Sequence, residues 1–348
     1  MNISIEKNKG TSESLDDRLK KLASHCQKFK GAITRRSLFQ LISTLCLFIA
    51  SVTGMIATYE NHYWISALLI IPTGGLVIRL FIFQHDCGHQ SFFKTRKWND
   101  RVGRFLSIFT FTPYGYWREA HNTHHANSGN LSKRGIGDID TLTVREYLAR
   151  TWSGKLAYRI YRHPILLLVI GGPVMILILQ RFPIGQPSPF RKIWKSMMAL
   201  NLAICIVYGT VIYFTGFEFI LFAYLPVICV SAWIGGWLFF IQHQFENTVW
   251  DYKENWNFNK SAVLGSSYFV LPKVFQWFSG NIGLHHLHHM CGVIPNYRLQ
   301  ECHDTAPHMP EIREIRFWQS LKCIRLTLWD EDLSRLVDFS HLRTLKAA

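Results

Sequence analysis

Four long apolar runs, at roughly residues 37–59, 63–83, 197–215 and 217–241, dominate the pattern of hydrophobic and polar positions. A helix needs about 20 apolar residues to cross a bilayer, so each run is long enough, or nearly so, to span one. Very short linkers, Glu60-Asn61-His62 and Gly216-Phe217-Glu218, join the runs in pairs. The pattern predicts an all-α integral membrane protein with four transmembrane helices in two hairpins.

Charge orients the hairpins. Neither linker carries Lys or Arg, whereas Arg35 and Arg36 precede the first run and Lys94, Arg96, Lys97, Arg101 and Arg104 follow the second. Basic residues favour the cytoplasmic side, so both termini are expected there. A fifth apolar stretch, 164–179, is interrupted by Gly171-Gly172-Pro173 and flanked by Arg159, Arg162, Arg181, Arg191 and Lys192. It reads as an in-plane or re-entrant segment, as does the short stretch Phe105–Pro113. Residues 1–35 are polar and lack the apolar core of a cleaved signal, so a polar cytoplasmic segment is expected there. Residues 36–309 form the expected membrane domain. The last stretch, 310–348, alternates apolar and basic residues and predicts a cytoplasmic amphipathic tail, helical and lying as a cap on the membrane surface.

Composition agrees: 49% of the 348 residues are hydrophobic and mean hydropathy is positive. The formal net charge of +15 is concentrated beside membrane helices, which suits anionic lipid headgroups and argues against nucleic acid. Eight scattered cysteines without a CxxC pair exclude a fused four-cysteine iron–sulfur domain, so any electrons must come from a separate protein. Aromatic residues such as Trp64, Tyr116, Trp117 and Trp250 read as a membrane-interface belt.

The candidate chemistry lies in histidine. Ten of 16 histidines fall in four short stretches: HDCGH (His85, His89), HNTHH (His121, His124, His125), His243 in IQHQFE, and HHLHH (His285, His286, His288, His289). Spacings of three and four put imidazoles on one helix face, where they can converge on an ion. Eight or nine converging imidazoles are too many for one metal, so two ions fit better. Iron, zinc, copper and nickel all accept imidazole, so spacing alone leaves the metal open. His25, His62, His163, His303, His308 and His341 are isolated and read as surface or core residues.

These ordered stretches resemble the histidine boxes of the membrane-bound, non-haem diiron fatty acid desaturases. The resemblance runs from about Phe83 to Cys302. The wording HDCGHQSFF, WREAHNTHHANSGN, GDIDTLTVREY, IQHQFE and GNIGLHHLHH followed by IPNYRL is similar to bacterial and cyanobacterial acyl desaturases of the omega-6 (Δ12) type, which implies the bacterial inner membrane as the expected location. The resemblance implies two non-haem irons, dioxygen as co-substrate, a fatty acyl substrate on lipid, coenzyme A or carrier protein, and a ferredoxin or small cytochrome as electron donor. It carries ligand roles to His85, His89, His121, His124, His125, His285, His288 and His289. His243 resembles the additional ligand between boxes, and His286 falls outside the HxxHH register.

Metal-bound imidazoles usually donate their second ring N–H to an oxygen, which makes Asp86, Glu119, Asp138, Asp140, Glu246 and Asn281 candidates for that role. Asn281 lies four residues before His285, which on a helix is the same face. Two other functions share part of the pattern. A related diiron hydroxylase or carotenoid ketolase would add oxygen to the product instead of removing two hydrogens. A divalent-metal transporter should carry ionisable residues in mid-span, whereas these runs are almost free of charge.

Overall fold

The computed structural model of the protein describes residues 13–135, 137–182, 190–307 and 309–347. His308 and the side chains of Arg191 and Lys192 lie outside the described residues, as do the first twelve residues of the polar N-terminal segment.

Helix α1 (Leu15–Gln27) leads into the first hairpin, α2 (Thr34–Thr58) and α3 (Tyr63–Gly88). Next come α4 (Arg96–Thr110), α5 (Tyr114–Asn127), α6 (Val144–Ala149) and α7 (Trp152–Tyr161). The interrupted helix α8 (Ile165–Arg181) precedes the second hairpin, α9 (Phe190–Thr215) and α10 (Phe217–His243). Among the described residues, four single helices are therefore long and apolar enough to cross a membrane, at the predicted places.

Small and polar residues hold the hairpins together. The Ser51 and Thr73 hydroxyls lie 2.5 Å apart, Thr58 and Ser66 lie 3.0 Å apart, and Ser66 donates to the Met55 carbonyl at 2.6 Å. Such bonds contribute about 0.6 kcal/mol each between membrane helices. Helix α3 is the central element, packed against α2, α4 and α10. Gly74 permits the α10 contact, since a Cβ there would meet Val230 at 2.6 Å. Gly216, at φ +81°, makes the turn of the second hairpin.

One charge interrupts the apolar runs. Arg79 is buried in α3; its Nε donates to Thr44 at 3.1 Å and its Nη1 to the Trp277 carbonyl, and its guanidinium lies 4.1 Å from the Trp277 ring. It ties both helices of the first hairpin to the polar half of the molecule, consistent with intramembrane charges facing the protein interior.

The fifth apolar stretch does not continue α7. The two segments meet at a bend of 59°, and α8 lies against α10, where the Trp233 indole donates to the Val169 carbonyl at 2.8 Å. If α8 crossed fully, His243 would end on the opposite face from α5. Instead His243 meets His124 at 3.1 Å, which keeps the ends of α5 and α10 on one side of the bundle. Helix α4 is the expected surface helix, burying Asn99, Gly103, Leu106, Ser107 and Thr110 while Trp98 and Phe105 stay exposed.

The cap over the histidine end contains α11 (Phe258–Leu264), β1 (Tyr268–Val270), α12 (Lys273–Phe278), α13 (His285–Met290) and α14 (Asn296–Asp304). It continues through β2 (Glu314–Arg316), α15 (Phe317–Cys323), β3 (Leu328–Asp330), β4 (Arg335–Val337) and α16 (His341–Ala347). Strand β2 pairs in parallel with β1, Phe269 opposite Ile315, and β3 with β4 forms a hairpin. The tail expected over 310–348 as an amphipathic helical cap is thus helical at α15 and α16 and extended at β2, β3 and β4. Ile315 is buried between exposed Glu314 and Arg316, as alternate faces of a strand require, and β1 supplies the partner edge.

The polar N-terminal segment also proves structured. Leu19, Leu22 and Cys26 of α1 are fully buried among Leu284, Leu287, Leu299 and Cys302. This core lies directly under α13, which carries the last histidine stretch.

Candidate metal centre

Four elements deliver the histidines. His85 sits in the last turn of α3, and His89 caps its end. Helix α5 presents His121, His124 and His125, α10 ends on His243, and α13 carries His285, His288 and His289. Spacings of three and four work here as helix geometry requires, because each element is helical at its histidines.

The nine rings converge as two groups. His85, His89, His121, His125 and His288 can each offer a nitrogen within 4.8 Å of the others, and so can His124, His243, His285 and His289. In the five-membered group, the His125 Nε2 atom is 3.1 Å from that of His121 and 3.0 Å from that of His288. In the four-membered group, His243 Nε2 is 3.1 Å from His124 Nε2 and 3.0 Å from His285 Nε2, and His289 Nε2 is 3.3 Å from His124 Nε2. Ligands about 2.1 Å from one ion stand roughly 3.0–3.4 Å apart, so the spacing fits imidazoles sharing a metal. His89 Nε2 is buried and without a hydrogen-bond partner, as an atom reserved for an ion would be.

Burial, then the neighbouring imidazoles, pushes His121, His125, His285, His288 and His289 well below the ordinary histidine pKa. These rings are neutral at pH 7, the form that binds a metal. Two outer contacts fix which nitrogen faces inward. Asp138 Oδ1 lies 2.6 Å from His124 Nδ1, and the Gly265 carbonyl lies 3.2 Å from His243 Nδ1. A carboxylate or carbonyl only accepts, so Nδ1 carries the proton and Nε2 turns its lone pair to the group. Burial works against the charge on Asp138, but His124 outweighs it and holds the carboxyl below its usual range. Asp86 stands 3.3 Å from His85 Nδ1, while its other oxygen accepts the backbone and side-chain N–H of Asn296, each at 2.8 Å.

Asp86 and Asp138 thus stand beside the Nδ1 atoms of His85 and His124. Asp140, Glu246 and Asn281 make no hydrogen bond to the clustered histidines among the described residues. Asp140 offers its backbone N–H to Tyr161, and Glu246 pairs with Arg335 at 3.0 Å on the surface. Asn281 is not on a helix with His285: it sits in a left-handed turn at φ +58°, and α13 begins only at His285. Glu119 faces a cavity between α4, α5 and α9. His286 belongs to neither group and is buried beside Tyr268 and His303.

Trp117, Asn296 and Gly265 were not anticipated at the centre. Trp117 is no interface residue: it stacks on His121 at 4.4 Å, in a space left by Gly88, whose Cβ would meet the indole at 2.9 Å. Trp250 likewise stacks on Trp329 within the cap. The glycine inside HDCGH was the available signal. The Gly265 carbonyl has none, since any residue supplies one.

Membrane-length helices ending in two imidazole clusters define a class of membrane protein whose histidines could hold metal. The family model described as fatty acid desaturase matches residues 61–320, and the chain belongs to that family of oxidoreductases. It is 36% identical over 333 residues to the fatty acid desaturase of Bacillus subtilis (strain 168), covering 96% of this chain and 94% of that protein. It is 27% identical to an sn-1 acyl-lipid omega-3 desaturase (ferredoxin) of Nostoc sp. (strain 36), covering 90% and 86%. With an sn-1 oleoyl-lipid 12-desaturase of Anabaena variabilis it shares 24% identity, covering 68% and 70%.

Proposed function

We propose that the chain is a dioxygen-dependent acyl desaturase that holds two non-haem irons, one in each histidine group, and forms a cis double bond of the Δ12 (omega-6) type. The observation that carries this reading is the convergence of nine imidazoles as a five and a four, with Nε2 spacings near 3 Å. Iron held there supplies the dioxygen activation that an unactivated methylene C–H demands, since side-chain acids and bases cannot reach such a bond. Two hydrogens leave adjacent carbons, and with two electrons and two protons both oxygen atoms end as water.

The protein's share is binding and orientation. Asp138, Gly265 and Asp86 hold three imidazoles in register from outside. An apolar cavity of about 820 Å³ lies between α3, α8, α10 and the cap, walled by Pro72, Ile78, Leu168, Trp237, Leu271 and Phe278. Its upper wall, at Ile78 and Leu238, stands about one to two helical turns short of His85 and His243, which suits an acyl chain. The histidine end is the cytoplasmic one, because the basic flanks lie on that side and the linkers without Lys or Arg on the other. Residues 36–309 are the catalytic membrane domain, with the ends of the chain as its polar partners. The donor is a separate small protein of the ferredoxin or cytochrome kind, a reading supported by the ferredoxin named for the Nostoc desaturase and the cytochrome b5 named for an acyl-lipid omega-3 desaturase of Arabidopsis thaliana.

Expression in a host that makes monounsaturated fatty acids tests the reading. Mass spectrometry should find a product two hydrogens lighter, with the new double bond at Δ12, and none from His124→Ala despite normal membrane insertion. A product heavier by one oxygen would assign hydroxylation instead.

A further inference from the structure

A second cavity, of about 430 Å³, lies where α9 meets α4 and α5, away from the apolar cavity. Its two ends differ in chemistry. Ile193, Ala199, Leu200 and Ala203 of α9, with Ile108 of α4, make an apolar floor, whereas Arg104, Arg118, Lys195 and Ser196 supply cations and a hydroxyl. Glu119 is the one acid lining it. Arg118 is held in place by Asp100 at 2.6 Å. Arg104 and Lys195 are exposed and make no ion pair among the described residues.

We propose that this cavity binds a glycerophospholipid, its phosphate between Arg104, Lys195 and Arg118 and an acyl chain on the α9 floor. Three arguments lead there. A cationic rim over an apolar floor matches an amphiphile with an anionic head, and phosphate is the anion that such donors hold best. The surface helix α4 and the start of α9 put the rim at headgroup depth. Finally, the cavity is bounded by α5, so a bound lipid would brace the helix that carries His121, His124 and His125.

The test uses the full-length protein in vesicles doped with a phosphatidylglycerol bearing a photoactivatable group on one acyl chain, beside a diacylglycerol with identical chains. Peptides are then mapped. Phosphatidylglycerol should label residues 193–203, and diacylglycerol should label them at least about tenfold less, as expected when charge-assisted bonds are lost. Arg104→Ala with Lys195→Ala should lower phosphatidylglycerol labelling by a similar factor. Ala203→Trp, which fills the floor without changing charge, should lower it too. Arg101→Ala, on α4 but outside the cavity, should leave it unchanged. Equal labelling by diacylglycerol, or an equal loss in Arg101→Ala, would overturn the proposal in favour of general attraction to a basic surface. Displacement by millimolar inorganic phosphate would overturn the lipid as ligand and leave a free phosphate site.

Discussion

At the scale of single residues, tautomer control separates this centre from a mere concentration of histidines. Asp138→Asn removes the ionised acceptor beside His124 Nδ1, 2.6 Å away in the native chain, and leaves an amide that can face the ring with either end. Outer contacts of this kind are worth about 10- to 100-fold in metal affinity, so iron bound per chain and product yield should both fall, as elemental analysis and lipid profiling would report. Gly88→Ala acts from the other direction. Its methyl would press on Trp117, and overpacking of this kind costs about 1–3 kcal/mol, so a lowered melting temperature should accompany displacement of the indole from His121. The pH response follows from burial of neutral rings. His125, His288 and His289 bind no proton in the folded protein at pH values where the unfolded chain, near 6.5, already does. The unfolded state then binds more protons, so the stability of metal-stripped protein should fall as pH drops from 7 toward 5. A melting temperature that rose on acidification would refute the assignment. The nine histidines, Asp86 and Asp138 could be read from the sequence because their side chains are the chemistry. Gly265 could not, because it contributes only a carbonyl.

At the scale of elements, helix period decided what could be foreseen. The four spans were legible because 23 to 27 apolar residues have one use in a bilayer, and the box spacings because they lie on helices. Asn281 was misplaced by the same rule, extended past the point where α13 begins. Strand β2 of the tail was missed because apolar–basic alternation suits a surface helix and an edge strand alike, and only the partner strand β1 decides between them. Helix α1 was missed for a related reason: its few apolar residues look soluble until the core under α13 is assembled around them. Leu22→Ala should therefore cost about 2–5 kcal/mol, despite lying outside every span, and should loosen iron held by His285, His288 and His289. A thermal melt with metal analysis on the same sample would show both effects.

At the scale of the whole molecule, an apolar bundle fixes two hairpins while a polar cap closes over their ends. The histidine stretches on α3 and α10 belong to membrane-length helices, those on α5 and α13 to shorter helices outside them, and each histidine group draws on both. Arg79 couples the halves physically, through Thr44 below and Trp277 above. The centre can therefore assemble only when cap and bundle dock, which makes metal occupancy a report on the entire fold. The iron-to-chain ratio of purified, fully folded protein tests that account most directly. Two irons per chain are predicted, with product formation lost when zinc replaces them. A single ion per chain, or full activity with zinc alone, would contradict the two-group centre proposed for this desaturase.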